Sequence, residues 1–181
     1  MDNTANENLL LEQLRCEETR RSAFSALAQR YGERLYWHIR KIVLAHDDAD
    51  DVLQNTFVKA WENIAKFRGD AHLFTWLFRI ATNESITFLN NTKRLQRLSI
   101  GDAQALLENL RATDAHFCPS EAQERLQAAI LALPERQRIV FNMRYFDEMT
   151  YEQISEILGV SVGALKASYH FAEQKVKKYF E

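Results

Sequence analysis

TYEQISEILGVSVGALKASYH, Thr150 to His170, is the stretch whose reading decides the fold. Thr150 followed three residues later by Gln153 is a capping box, so a short helix starts here with its first N–H groups satisfied locally. Ile154, Ile157 and Leu158 recur at helical spacing and turn inward. Gly159 ends that helix, Val160 plugs the turn, and Ser161 caps a second helix running from Val162 to about Phe180. A helix, a short turn containing glycine and a second helix make a helix-turn-helix. In that arrangement the second helix lies in a major groove. Ser161, Lys166, Ser168 and His170 are then its candidate contacts, with Lys175, Lys177 and Lys178 holding the flanking backbone. The competing reading is a helical hairpin that contacts protein.

Moving upstream, Leu133-Pro134-Glu135 signals another helix start, with Pro134 at the first helical position and an acid in the first turn. That helix continues through Val140, Met143 and Tyr145, inside a helical block from Glu121 to Glu181. Gln96 to Ser120 carries Gly101 and Pro119, and its one apolar cluster is Ala105-Leu106-Leu107. It reads as a tether with room for a short helix. A larger helical block runs from Leu9 to Leu95. Its spacing predicts helices over Leu10–Arg30 and Arg34–Leu44, and a third beginning after His46-Asp47-Asp48.

The third helix separates two faces. Leu53, Phe57, Ala60, Trp61 and Ile64 form an apolar stripe, whereas Asp51, Gln54, Asn55, Val58 and Glu62 line a largely polar one that is either solvated or docks a basic partner. Asp47-Asp48-Ala49-Asp50-Asp51 also matches the DDxxD pattern that holds magnesium in helical prenyl synthases. No second aspartate-rich motif follows it, and acids at a helix start are expected from the macrodipole.

FRGDAHLFTWLFRIATN, Phe67 to Asn83, follows directly. Gly69 permits a chain reversal and Asp70 is a suitable N-cap. Leu73, Leu77, Ile80 and Phe88 then share one face, Thr75, Arg79, Asn83 and Asn90 another, with Trp76 at the border. Cation, amides and rings so arranged suit phosphates and unstacked bases. An amphipathic helix with a merely solvated polar face is the plainer alternative.

The 181 residues are 46% hydrophobic with a formal net charge of −2, which excludes a generally basic nucleic-acid coat and leaves only local patches or a partner to supply cations. Five glycines and two prolines disfavour a many-turned β fold. No apolar run is long enough to span a bilayer, and the polar start is not a secretory signal, so a cytoplasmic protein is expected. Cys16 and Cys118 stand apart, and the histidines form no ligand cluster. Neither metal, cofactor nor disulfide is expected.

Taken together, DADDVLQNTFVKAWENIAKF (Asp48 to Phe67), FRGDAHLFTWLFRIATN, LPERQRIVFNMRYFDEMTYEQISEILGVS (Leu133 to Ser161) and VGALKASYH (Val162 to His170) resemble bacterial RNA polymerase sigma factors of the extracytoplasmic-function group. The resemblance implies an all-α chain of two small helical domains. These are sigma domain two over 1–95 and sigma domain four over 121–181, joined by a flexible linker over 96–120 that threads the core enzyme. It implies an alternative sigma factor that binds core polymerase, directs it to particular promoters and promotes melting, without catalysis of its own. By the same resemblance Asp48, Asp51, Gln54 and Asn55 grip a coiled coil of the largest core subunit. Phe67, Arg68, His72, Thr75, Trp76, Arg79 and Asn83 meet the downstream promoter element, where the loop receives a flipped base. Ser161, Lys166, Ser168 and His170 read the upstream one. An anti-sigma factor is a further expected partner.

The sequence departs from the group at Asn55, where many relatives have glutamate, and at Ser168 and Phe171, where many have arginines. A free-standing regulator with a receiver domain is the rival reading. It requires alternating strands and helices, and no buried strand is evident.

Overall fold

The computed structural model describes residues 3–67, 69, 72–96 and 120–180, and these are helical throughout, with no strand among them. The tether falls almost wholly outside the described residues, as do Arg68, Asp70 and the apolar cluster at Ala105-Leu106-Leu107.

Helix α1 (Asn3–Arg15) is followed by α2 (Arg20–Val43) and α3 (His46–Asn63), then a 3-10 turn (Ile64–Lys66) and α4 (Leu73–Gln96). The first break lies at Cys16–Thr19, and α2 runs unbroken through Arg30–Arg34, where the spacing predicted a boundary between two helices. Thr19 closes that break by donating its hydroxyl to the Gln13 carbonyl at 2.8 Å. Gly32 stays inside α2, where a Cβ would meet nothing closer than the Phe57 ring at 3.9 Å. A mid-helix glycine costs roughly 0.5–1 kcal/mol relative to alanine. Burial of Leu27, Tyr31, Leu35 and Ile39 along one face of α2 outweighs that.

Helices α2, α3 and α4 pack on one another, with α1 laid across α2. The innermost line of α3 is Ala49, Val52, Thr56 and Ala60, small residues that allow close approach. Leu53, Phe57 and Trp61 flank that line half-buried, one step round from the expected stripe. Asp47 and Asp48 occupy the first turn of α3, where the helix dipole favours them.

The remaining helices are α5 (Glu121–Leu131), α6 (Glu135–Tyr145), α7 (Tyr151–Leu158) and α8 (Val162–Lys178). Pro134 is the N-cap of α6, in extended backbone, rather than its first helical residue. The capping box at Thr150 and Gln153 forms in both directions, Gly159 is left-handed at φ 66°, and the Ser161 hydroxyl accepts from the Ala164 N–H. A second capping box, Ser120 with Gln123, opens α5. Phe141 stacks on Tyr169 with centroids 5.6 Å apart, fixing α6 against α8.

The two helical groups touch. Helix α7 packs on α4 and α6 approaches α2. Ile154, Ile157, Met143 and Met149 join one continuous core with Leu35, Leu77 and Phe78.

Candidate nucleic-acid interface

The outer face of α3 presents Asp51, Gln54, Asn55 and Glu62 to solvent around Val58, which is 54% exposed. Asp48, at the start of this face, is half-buried. Burial, then repulsion from Asp51 and Asp47, pushes its carboxyl above the usual range, with Arg40 pulling the other way. An acidic and amide surface with one aliphatic centre suits a basic amphipathic helix.

The entry to α4 is built from distant parts of the chain. Its first N–H, on Leu73, is donated to the Glu7 carboxylate of α1 at 2.5 Å, which supplies the cap from elsewhere. Phe67, 8% exposed, lies against Trp76 with ring centroids 4.9 Å apart, and its carbonyl accepts from Arg15 at 3.1 Å. Trp76 is half-buried, whereas His72 and Asn83 are exposed. His72, Trp76, Arg79 and Asn83 follow the helical repeat and share one face. The structure thus groups an imidazole, an indole supported from behind by Phe67, and an amide along three turns.

Two expectations for α4 need correction. Thr75 is not on the exposed face: it is 2% exposed, and its hydroxyl has no partner among the described residues. Its neighbours Leu73, Leu77 and Phe78 are buried too, and the core of α4 is wide enough to include it. Arg79 is exposed, but its guanidinium is committed to the Glu156 carbonyl near the C-terminus of α7, through Nε at 3.0 Å and a second N–H. A cation belongs at that negative end of a helix.

On α8, Lys166 is exposed and lies 5.8 Å from the Tyr151 ring. His170 is exposed and bonded to Gln174 at 2.9 Å, while Lys175 reaches Gln137 at 3.0 Å and Lys177 pairs with Glu173 at 2.9 Å. The Ser161 hydroxyl is occupied by its own cap at 3.4 Å. Ser168 is half-buried and lines a cleft of about 450 Å³ with Ile86 and Asn90 of α4, Leu158, Val160 and Arg136. Arg136, exposed in the first turn of α6, was not singled out by the sequence reading. Also missed was a polar cluster beneath α4: His38, Lys41, Thr82 and Asp147.

Residues 27–95 match the family model for Sigma-70 region 2, and residues 123–176 match that for Sigma-70, region 4. Over 165 residues the chain is 28% identical to the ECF RNA polymerase sigma factor SigW of Bacillus subtilis, covering 86% of this chain and 88% of that protein. It is 27% identical over 184 residues to the ECF RNA polymerase sigma-E factor of Escherichia coli, covering 97% and 95%. The chain is an extracytoplasmic-function sigma factor.

The region 2 match spans α3 and α4, and the region 4 match takes in the helix-turn-helix, so both candidate surfaces of this sigma factor fall within matched segments. Like its relatives, this sigma factor is a transcription initiation factor that directs RNA polymerase to promoters. Its fold is similar to that of CnrH in complex with the cytosolic domain of CnrY, with TM-score 0.69, 25% identity and 96% of each chain covered. No helix of the described residues is long and apolar enough to cross a membrane.

Proposed function

We propose that residues 1–95 bind core polymerase and open the downstream promoter element, that 121–181 read the upstream element, and that 96–120 tether the two. The core-binding face is Asp48, Asp51, Gln54 and Asn55 on α3. The upstream reader is α8, with Lys166 and His170 outermost. The chain performs no catalysis and works as an adaptor for the polymerase active site.

The observation that carries the melting role is the grouping of His72, Trp76 and Asn83 on one face of α4, with Phe67 bracing the indole. Extruding a base costs a few kcal/mol of stacking. An indole platform recovers about 1–3 kcal/mol per base, and amide hydrogen bonds to the base edge add discrimination. With a net charge of −2, the chain depends on polymerase to hold the duplex nearby. Phe67 acts from beneath as support for Trp76, and Thr75 as packing.

The test is reconstitution with core polymerase, run-off transcription and permanganate footprinting of the melted strand. Trp76→Ala combined with Asn83→Ala should abolish the footprint while leaving core binding intact; an unchanged footprint sinks the melting role. CnrH, similar in fold to this chain, was solved in complex with the cytosolic domain of CnrY, and an anti-sigma factor is the further partner expected of this chain.

A further inference from the structure

The seam between the two helical groups is not uniformly apolar. At its centre the Asp147 side chain, 8% exposed, comes from the loop between α6 and α7 and meets two residues of α2. One carboxylate oxygen accepts from His38 Nδ1 at 2.7 Å and the other from Lys41 Nζ. His38 is 1% exposed, and its Nε2 lies 2.9 Å from the Thr82 hydroxyl of α4, which itself sits 2.7 Å from the Phe78 carbonyl. An imidazole protonated on both nitrogens satisfies all of these contacts at once, with Thr82 accepting from Nε2 and donating to Phe78. Asn142 of α6 adds a bond to the Lys41 carbonyl at 3.3 Å. Beside Asp147, Glu148 is held at φ 54°, a conformation that non-glycine residues adopt at a cost.

Desolvation offsets much of the attraction in an intact buried cluster, but removing one partner leaves the other charge buried and uncompensated, which strongly disfavours the closed seam. The cluster fixes one registry of the two groups while leaving the closure reversible. That registry has a consequence for binding. It commits the Arg79 guanidinium to Glu156, and it sets Asn90 of α4 opposite Ser168 of α8 across the 450 Å³ cleft.

We propose that the His38–Asp147–Lys41 cluster is a clasp that holds the free chain in a closed resting state, released when the chain joins polymerase. The release rests on the function proposed above; the clasp itself does not.

The test is small-angle X-ray scattering on the free, full-length chain, comparing wild type with Asp147→Asn and Lys41→Met, with helicity followed by circular dichroism. A compact chain of this length has a radius of gyration of about 16 Å. Wild type should lie near that value and both variants several ångströms above it at unchanged helicity. Equal radii for wild type and variants, or an extended wild type, overturn the clasp. Should Asp147→Asn lose helicity, Lys41→Met decides, since Lys41 is partly exposed and its side chain reaches only the seam. In a stopped-flow assay Asp147→Asn should associate with core polymerase several-fold faster, and an unchanged rate overturns the resting-state role. Failure of wild type and variants alike to bind core polymerase would count against the function, with the scattering result still standing.

Discussion

Helices α7 and α8 begin on their own neighbours, whereas α4 begins on a residue 66 positions away. Thr150 and Ser161 each cap the helix that follows them directly, while Leu73 donates to Glu7. Both regions carry proposed promoter contacts, yet one helix start is capped by its own segment and the other by a residue of α1. A recognition helix of the first kind has its end groups satisfied within its own segment. One of the second kind depends on the whole bundle around it.

The largest break in that comparison is a core truncation in the locally capped region. Ile154 is fully buried and belongs to the core shared with α2 and α4. Ile154→Ala should cost about 2–5 kcal/mol in chemical denaturation. A loss confined to a separate C-terminal transition would mean that the two groups fold independently and the shared core contributes little.

Next come the caps themselves. Glu7→Gln and Thr150→Ala should each cost about 1 kcal/mol. They differ in reach: Glu7→Gln should raise hydrogen exchange at the start of α4, and Thr150→Ala only at α7. Equal, purely local effects would erase the contrast.

The smallest effect is one of pH. Burial pushes the Asp147 carboxyl up, but hydrogen bonds and charge from His38, with the charge and bond of Lys41, outweigh it and hold it below the usual carboxylate range. Its contribution is therefore present above the ordinary range, about pH 4, and is lost as pH falls through the lowered value. The groups facing it are His38 and Lys41 on α2, with Thr82 of α4 behind the ring and Glu148 beside it in the loop. Wild type should lose more stability than Asp147→Asn on acidification below about pH 4, measured by urea denaturation. Parallel curves would remove Asp147 from the linkage.

What was legible in the sequence follows the same division. Thr150, Gln153, Gly159 and Ser161 act within a few positions of one another, so the helix-turn-helix could be read residue by residue. The gap expected between Arg30 and Arg34 is continuous helix, because packing along α2 rests on contacts that no window contains. Thr75 looked like a member of a polar face because helical spacing says which residues align, not how wide a core is. His38 and Asp147 showed nothing at all: each is an unremarkable residue until the chain brings them together across 109 positions.

Glu7 makes the amino end part of a helix to which it does not belong. A tag, a processing step or an alternative start that displaced it would act on α4 through Leu73, so that an extension far from the proposed DNA-facing side chains would still shift the helix that carries them.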